Sequence, residues 1–253
     1  MVRNLVERFR SRAEIVVEPE TAKKLGLPET RIEEMDVDLI VSVGGDGTIL
    51  RTIRRMEDPR PILGINMGTL GFLVDVEPKD AVKTLERVLF GFEVMERSRL
   101  STRLNGRPLP PATNEIALLS ASPAKMLEFE ITVDDSLLES LRADGLLFAT
   151  STGSTAYAMS AGGPIVDPRV DAIVLVPMAP FKLSARPWVL PAESVIKVDL
   201  DLPEKEALVV IDGQNVATIS KRDHITISRA EKPARFVKAR EGGFYEKVKS
   251  KLA

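Results

Sequence analysis

Residues 39–51, LIVSVGGDGTILR, constrain the fold more than any other stretch of the chain. An apolar run ends in Gly44-Gly45-Asp46-Gly47, and the apolar residues that follow recur with helical spacing. This order predicts a buried strand, a tight glycine turn and the N-terminus of a helix. Because glycine accepts positive φ, such a turn can direct several backbone N–H groups into one concavity, where the helix dipole attracts phosphate.

Asp46 is out of place in a turn of this kind, because a carboxylate repels phosphate. The conflict is resolved if the side chain holds Mg²⁺ or takes a proton from an attacking hydroxyl. A helix cap is the alternative that needs no function. The turn is not a Walker loop, since no Gly-Lys-Ser/Thr follows. It is also not a complete GxGxxG motif, since Leu50 stands at the third glycine position.

The composition is that of an ordinary globular protein, with 253 residues, 44% of them apolar and 28% charged. A net charge of −2 gives no reason to expect nucleic acid or a membrane as a partner. A chain without cysteine excludes disulfides, thiolate catalysis and cysteine-based zinc sites, and it is compatible with the cytoplasm, where we expect the protein. The single histidine, His224, lies in a strand pattern, so general-base chemistry falls to a carboxylate or a lysine.

Two different patterns divide the chain. Up to Phe92, strand patterns (13–17, 37–43, 61–67) alternate with helix patterns (21–25, 48–56, 81–89), which predicts parallel βαβ units. Beyond Phe92, short β-branched segments separated by Gly, Pro, Asp and Asn predict a β-rich domain. We therefore expect an α/β domain over 1–95, a β-rich domain over 96–240, and a C-terminal helix over 241–253 that packs on the first domain. The active site is expected in a cleft between the domains.

The second domain contributes polar loops of its own. Asn114-Glu115 precedes an apolar strand and offers a donor and acceptor pair for ribose hydroxyls or a base edge, although a turn with a helix or strand cap is the simpler interpretation. Residues 150–155, TSTGST, follow another strand and suit a sugar-phosphate ligand, with Tyr157 available to lie on a ring. Asp212-Gly213 is typical of a two-residue hairpin turn.

Taken together, these motifs resemble the NAD kinase family. The resemblance rests on GGDGTILR at 44–51, NMGTLGFL at 66–73, Asn114-Glu115, ADGLLFATSTGSTAYAMSAGGPIV at 143–166, and IDGQ at 211–214. GGDGT alone is also found in lipid kinases, and the combination separates the two classes. A lipid kinase and a non-catalytic NAD-binding sensor are the competing interpretations.

The resemblance implies a fold and an activity. The fold is α/β plus all-β: a Rossmann-like, phosphofructokinase-like α/β domain, then a β-rich domain, with the C-terminal helix returning to the first. The activity is Mg²⁺-dependent phosphoryl transfer from ATP or polyphosphate to the 2′-hydroxyl of the adenosine ribose of NAD, giving NADP. The assembly is a homodimer or homotetramer in which loops of a neighbouring subunit complete each active site.

The resemblance also implies roles for individual residues. Asp46 accepts the hydroxyl proton, Gly45 and Gly47 keep the backbone close to phosphates, Arg51 neutralises phosphate charge, and Phe72 packs near the adenine. The remaining positions line the dinucleotide site: Asn114, Glu115, Lys125, Arg142, Asp144, Thr155, Ala156, Tyr157, Ala158, Met159, Ser160, Ala179 and Gln214. No metal ligand is identified.

Overall fold

The computed structural model describes residues 1–68, 71–122, 125–201, 206–219, 223–239 and 244–252. The chain divides into two compact units, one formed by Met1–Glu96 with Ala234–Ala253 and one formed by Arg97–Pro233. The sequence predicts that the β-rich domain ends at residue 240. In the structure the chain from Ala234 onward belongs to the first unit, because a strand that begins there joins the sheet of that unit.

The described residues form helices and strands in the following order. The α-helices are α1 (Val2–Phe9), α2 (Pro19–Leu25), α3 (Asp46–Arg54), α4 (Ala81–Val88), α5 (Tyr157–Ser160) and α6 (Phe244–Leu252). The strands are β1 (Ile40–Gly44), β2 (Ile62–Asn66), β3 (Val94–Arg97), β4 (Leu100–Leu104), β5 (Arg107–Ala112), β6 (Glu115–Ser120), β7 (Leu127–Val133), β8 (Ser136–Ala143), β9 (Gly145–Thr150), β10 (Ala172–Met178), β11 (Trp188–Pro191), β12 (Ile196–Asp201), β13 (Ala207–Ile211), β14 (Gln214–Ile219), β15 (His224–Arg229) and β16 (Ala234–Val237).

The first unit is built on a four-stranded sheet with the strand order β1-β2-β16-β3. β1 and β2 are parallel and are joined through α3, as the sequence predicts for a βαβ unit, with Ile40 opposite Ile62 and Gly44 opposite Asn66. β16 also runs parallel to β2. Every residue of β2 is buried, which is typical of a parallel strand covered on both faces.

Helices cover both faces of β2. Leu63 and Ile65 pack in one apolar cluster with residues of α1 and α4. Ile62, whose side chain points to the opposite face, packs with Ile49 and Ile53 of α3. These α3 residues lie one helical turn apart, so the periodicity that predicts the helix also supplies the face that it buries.

The second unit is a sandwich of two six-stranded antiparallel sheets. Their strand orders are β11-β10-β9-β6-β13-β14 and β5-β4-β15-β12-β7-β8. One large apolar cluster draws side chains from both sheets, among them Phe148 of β9 and Phe129 of β7, each fully buried. On the other face of the first of these sheets, Leu147 and Val174 pack with Ala158 of α5. The strands therefore alternate between two apolar layers, which explains why β9 and β10 are buried almost throughout.

The fold class expected from the sequence is confirmed: an α/β unit and a β-rich unit. α6 belongs to the first unit, where Lys247 contacts the loop that follows β2. The strand predicted at 13–17 is wrong, since only Val17 forms an isolated bridge, to Glu29. Ile15 and Val16 are both more than a third exposed, so Val17 is the only residue of this segment that is buried. None of the helices in the described ranges has the length and apolar character needed to cross a bilayer.

Candidate active site

The glycine turn after β1 differs in detail from its prediction. α3 begins at Asp46 rather than at Thr48, and Gly45 is the N-cap with φ −105° and ψ −174°. None of the three turn glycines has positive φ, so the expected left-handed turn is wrong. Gly44 is required for another reason, since a Cβ there would lie 2.4 Å from Thr48 Oγ1. A Cβ at Gly45 or Gly47 would meet nothing within 4 Å, so the backbone at the start of α3 stays open to a ligand.

The Asp46 side chain is held by the main chain of a distant loop. Oδ2 accepts a hydrogen bond from the Phe72 N–H at 2.7 Å. Oδ1 accepts two, from Leu73 N–H at 3.0 Å and Val74 N–H at 3.1 Å. A carboxylate has about four lone-pair sites, so Oδ2 keeps one for a further donor. Asp46 is half-buried and immobilised, with one oxygen able to accept a proton or a hydrogen bond.

Gly71 allows this arrangement. A Cβ at residue 71 would lie 2.0 Å from Asp46 Oδ1 and 2.5 Å from a Val74 methyl group. Only glycine therefore lets the 71–74 main chain wrap around the carboxylate. Arg51 lies further along α3 and is exposed, so its guanidinium is accessible from solvent.

A second carboxylate in the other unit is held in the same way. Asp212 Oδ1 accepts hydrogen bonds from the N–H groups of Asn114 (2.7 Å) and Glu115 (3.2 Å), and Oδ2 accepts one from Thr113 (2.9 Å). Asp212 and Gly213 have φ values of 46° and 74°, so the predicted two-residue hairpin turn between β13 and β14 is confirmed. The turn aims its own aspartate at the loop that presents Asn114 and Glu115.

Glu115 is a buried carboxyl with perturbed acidity. Burial is the main cause that raises its pKa to about 7, the negative Asp212 raises it further, and a hydrogen bond from the Tyr157 backbone N–H lowers it. Burial likewise raises the pKa of Asp212, against its three backbone hydrogen bonds and the nearby Arg99. Among the described residues, Asn114 Oδ1 and Glu115 Oε2 are buried without a hydrogen-bond partner. Two acceptor oxygens are thus held ready for the hydroxyl or amino groups of a ligand.

Close packing fixes the TSTGST loop against the same residues. A Cβ at Gly153 would lie 2.1 Å from the Asn114 carbonyl oxygen, so the loop approaches the main chain of Asn114 directly. Thr150 strengthens the contact, since its Oγ1 donates to Thr113 O at 2.7 Å and accepts from Gly153 N–H at 3.0 Å. Tyr157 begins α5 and is 42% exposed, so one face of its ring is free to contact a ligand.

The structure separates the predicted residues of this unit into two groups at opposite ends of β9. Glu115 pairs with Ala149 near the carboxyl end of β9, and Met178 pairs with Gly145 at its start. One group therefore lies at the carboxyl end of β9, near Thr150: Asn114, Glu115, Thr155, Ala156, Tyr157, Ala158, Met159, Ser160 and Gln214. The other group lies at the amino end of β9, near Gly145: Lys125, Arg142, Asp144 and Ala179. A six-residue strand spans roughly 17 Å, so the two groups do not share one binding position within a unit.

The group that precedes Gly145 is exposed and locally ordered. Ala179 adopts φ 44°, which is unusual for a residue with a side chain and bends the chain immediately after β10. The Phe181 N–H donates to Arg142 O at 2.8 Å, and the Arg142 guanidinium lies 5.6 Å from the Phe181 ring centroid. The Asp144 N–H donates to Met178 O at 3.0 Å. These contacts hold an exposed acid and an exposed base on one loop cluster.

Sequence reasoning missed several residues that build the polar clusters around Asp46 in the first unit and around Asp212 in the second. Asp212 is predicted only as a turn residue, and Gly71 and Gly153 only as members of longer motifs. Arg99 is fully buried next to Asp212, and burial lowers its pKa. Its only signal in the sequence is an arginine at the start of an apolar strand pattern. Within the described ranges, no group of three or more His, Cys, Asp or Glu side chains could hold a metal ion.

Comparison with known proteins identifies the class to which these two units belong. Residues 2–91 match the ATP-NAD kinase N-terminal domain, and residues 113–239 match the ATP-NAD kinase C-terminal domain. Together they define a two-domain kinase. The chain is 56% identical to the NAD kinase of Methanosarcina mazei, over 100% of this chain and 89% of that protein. The chain belongs to the NAD kinase family.

Two solved structures share the fold. The crystal structure of an NAD kinase from Archaeoglobus fulgidus in complex with ATP matches with a TM-score of 0.78 and 37% identity, over 91% of this chain and 92% of that one. The crystal structure of yeast NADH kinase complexed with NADH matches with a TM-score of 0.91 and 27% identity, over 99% and 81% of the two chains.

Proposed function

We propose that this enzyme transfers the terminal phosphoryl group of ATP or polyphosphate to the 2′-hydroxyl of the adenosine ribose of NAD, and that Asp46 accepts the proton of that hydroxyl. The yeast relative binds NADH and the Archaeoglobus relative binds ATP, which supports a dinucleotide acceptor and a nucleotide donor here. The expected cytoplasmic location stays a prediction.

The single observation that carries the proposal is the lone pair on Asp46 Oδ2 that no donor among the described residues occupies. Oδ1 already accepts two backbone N–H groups and Oδ2 accepts one. A carboxylate that only capped α3 would stand at the N-cap position and accept hydrogen bonds from the first turn of the helix. In this protein Gly45 is the N-cap, and α3 has no side-chain cap. The carboxylate is instead presented by an external loop, in a fixed position that a general base requires.

The reaction balances without a covalent enzyme intermediate. The 2′-oxygen forms a bond to the terminal phosphorus of the donor, the bond from that phosphorus to its bridging oxygen breaks, and ADP or the shortened polyphosphate leaves. The hydroxyl proton passes to Asp46 Oδ2. Alignment and charge stabilisation supply most of the rate in phosphoryl transfer, so the open backbone at Gly45 and Gly47 and the exposed Arg51 are assigned to the donor phosphates.

Because no group of three or more His, Cys, Asp or Glu side chains among the described residues could hold a metal ion, we infer that a magnesium ion arrives bound to the donor phosphates. Mg²⁺ is commonly bound through substrate phosphates and one or two carboxylates rather than by an all-protein cage. When bound, it would neutralise charge on the transferring phosphoryl group. We assign no residue as its ligand.

Asn114 and Glu115 are assigned to NAD, with support from Tyr157. Asn114 Oδ1 and Glu115 Oε2 are buried acceptors without partners among the described residues. The two hydroxyls of a ribose are suitable donors for them. Because three N–H groups fix the loop to Asp212, these acceptors keep their positions before NAD arrives.

A homodimer or homotetramer with shared active sites would explain why the predicted residues fall at two ends of β9. In such an assembly Lys125, Arg142, Asp144 and Ala179 would serve the site of a neighbouring copy. Mixing two inactive variants tests this arrangement. Asn114→Ala and Asp144→Ala are each expected to lose most activity. If the protein is a dimer, unfolding and refolding an equimolar mixture of the two variants should restore about a quarter of the wild-type activity, because about half of the dimers then contain one intact site out of two. No recovery would refute sharing.

The activity itself is tested by incubating the protein with NAD, Mg²⁺ and either ATP or polyphosphate, and measuring NADP with an NADP-specific dehydrogenase. Asp46→Asn should lower kcat at least about a hundredfold, because general-base catalysis contributes this much or more. The asparagine of this variant carries an N–H₂ group in place of one carboxylate oxygen, and that group must face one of the three loop N–H donors. Because two facing donors can destabilise the fold, thermal unfolding is measured in parallel. Asp38→Asn, an exposed carboxylate shortly before β1, is the matched control and should leave kcat unchanged.

Two outcomes would refute the proposal. Binding of NAD without NADP formation from either donor would favour the non-catalytic sensor. Near-normal turnover by a folded Asp46→Asn protein would remove Asp46 from the mechanism.

A further inference from the structure

Helix α6 contacts the loop that holds the Asp46 carboxylate. The Lys247 ammonium donates a hydrogen bond to the Phe72 carbonyl oxygen at 2.9 Å and also forms an ion pair with Asp75. Four residues later, the Lys251 ammonium lies 4.3 Å from the Phe72 ring centroid. Residues i and i+4 share a helix face, so this face of α6 contacts both the main chain and the ring of Phe72. The Lys247 side chain is only 22% exposed, which strengthens its electrostatic contacts.

The carbonyl bonded by Lys247 belongs to a peptide group that also contacts Asp46. Phe72 C=O and Leu73 N–H are the two polar edges of one planar peptide unit. Leu73 N–H donates to Asp46 Oδ1 at 3.0 Å, while Phe72 C=O accepts from Lys247 at 2.9 Å. The ammonium and the carboxylate therefore bind opposite edges of the same rigid group. Polarisation of the carbonyl by a cation strengthens the N–H on the other edge as a donor.

We propose that Lys247 is a positioning residue for phosphoryl transfer, acting on Asp46 through the 72–73 peptide. By fixing the plane of this peptide, Lys247 keeps Oδ1 occupied by loop donors and leaves the lone pair of Oδ2 directed at the substrate hydroxyl. The inference rests on the proposed role of Asp46 as the proton acceptor. It adds that the C-terminal helix, remote in sequence from the glycine turn, controls the geometry of that acceptor.

The alternative is that Lys247 only anchors α6 through its ion pair with Asp75. The two roles predict different behaviour of Asp75→Asn. This substitution removes the ion pair and leaves the ammonium bonded to Phe72 O. Under our proposal kcat of Asp75→Asn stays within about twofold of wild type, whereas a purely anchoring ion pair requires Asp75→Asn and Lys247→Met to behave alike.

The experiment compares steady-state NADP formation by wild type, Lys247→Met, Lys247→Arg, Asp75→Asn and Lys249→Met. Lys247→Met should lower kcat about tenfold, the loss expected for one hydrogen bond from a charged donor, while KM for NAD changes less than about twofold. Lys247→Arg keeps a cationic donor and should recover at least half of the wild-type kcat. Lys249→Met removes an exposed lysine from the same helix and should leave kcat unchanged. Thermal unfolding of each variant shows whether the fold is retained.

The outcomes separate this inference from the proposed function. Wild-type kcat in Lys247→Met, or equal losses in Lys247→Met and Asp75→Asn, overturns the positioning role while an inactive Asp46→Asn still supports the base. Active Asp46→Asn protein refutes the base itself. The positioning role is supported if Lys247→Met loses kcat, Lys247→Arg restores it, and Asp75→Asn does not show the same loss. If Lys247→Met does not fold, Lys247→Gln provides the same comparison, since its amide can still donate to Phe72 O without a charge and should give an intermediate kcat; wild-type kcat in Lys247→Gln would overturn the role of the charge.

Discussion

Replacement of Glu115 by glutamine should stabilise the protein, and the gain should grow with pH. Glu115 is buried, and its pKa rises from an ordinary 4.5 to about 7 in the folded state. Glutamine has the same shape and does not titrate. It can still accept the hydrogen bond from Tyr157 N–H, and its amide replaces Oε2, which has no partner among the described residues.

Proton linkage determines how the free energy of unfolding changes with pH. Between the unfolded pKa of 4.5 and the folded pKa of about 7, the folded state holds a proton that the unfolded state releases. The favourable contribution of protonated Glu115 is complete below pH 4.5, is lost as pH rises to about 7, and does not change further above that value. The shift corresponds to a penalty on the order of 3 kcal/mol above pH 7. At pH 5 the penalty is below about 1 kcal/mol. Burial also raises the pKa of Asp212, so its contribution has the same sign.

The assay is thermal or urea unfolding of wild type and Glu115→Gln at pH 5 and pH 8. The free energy of unfolding of the variant, relative to wild type, should increase by about 2 kcal/mol between these pH values. For a chain of this size that difference is a Tm shift of roughly 4–8 °C. Comparing the two pH values removes any constant cost of the new amide, because that cost does not depend on pH.

Glu231→Gln serves as the control for this experiment. The Glu231 side chain is 87% exposed, and a surface substitution should change stability by less than about 0.5 kcal/mol at either pH. A difference between Glu115→Gln and wild type that stays constant from pH 5 to pH 8 would refute the assignment of Glu115 as a buried carboxyl with a raised pKa.

Three further substitutions test the site. Gly71→Ala introduces a Cβ only 2.0 Å from an oxygen of the Asp46 carboxylate and should lower kcat about a hundredfold, whereas Gly68→Ala meets no atom within 4 Å and should leave kcat within about twofold; equal kcat in the two variants would contradict the loop geometry. Arg51→Ala should raise KM for the phosphoryl donor about tenfold without changing KM for NAD, and an unchanged donor KM and kcat would exclude a phosphate contact. Gly153→Ala places its Cβ 2.1 Å from a main-chain oxygen of the neighbouring loop and should cost about 1–3 kcal/mol of stability and weaken NAD binding, so a wild-type Tm and NAD Kd would contradict the close packing.

Local patterns predicted the fold well because the helices bury one consistent face, while the central strands β2 and β9 are apolar on both faces. The apolar run before Gly44 became β1, and Ile49 and Ile53 became the buried face of α3. The short β-branched segments expected beyond Phe92 became strands, among them β9 and β13. The segment 13–17 failed because Val17 is its only buried residue, whereas Ile15 and Val16 stay more than a third exposed.

The site could be predicted only where the chemistry and its support lie close together in sequence. Asp46 stands out within its glycine turn, but the N–H groups that hold its carboxylate lie 26 to 28 residues later. No local pattern connects Asp212 with a loop almost a hundred residues before it. The separation of Asn114 from Asp144 along β9 likewise depends on strand register, which the sequence does not reveal.

The shared way of holding Asp46 and Asp212 has a consequence for sequence divergence. Each carboxylate binds three successive main-chain N–H groups, and every residue except proline provides such a group. A substitution at Leu73, Val74 or Thr113 therefore keeps the main-chain hydrogen bonds to the carboxylate as long as the new residue is not proline. Glutamate in place of either aspartate would be excluded by its extra methylene. The two acids and the glycines that give them room should thus change slowly during evolution, whereas the hydrogen bonds themselves place no demand on the side chains of the residues that donate them; at Val74 and Thr113 the constraint on the side chain comes from burial instead.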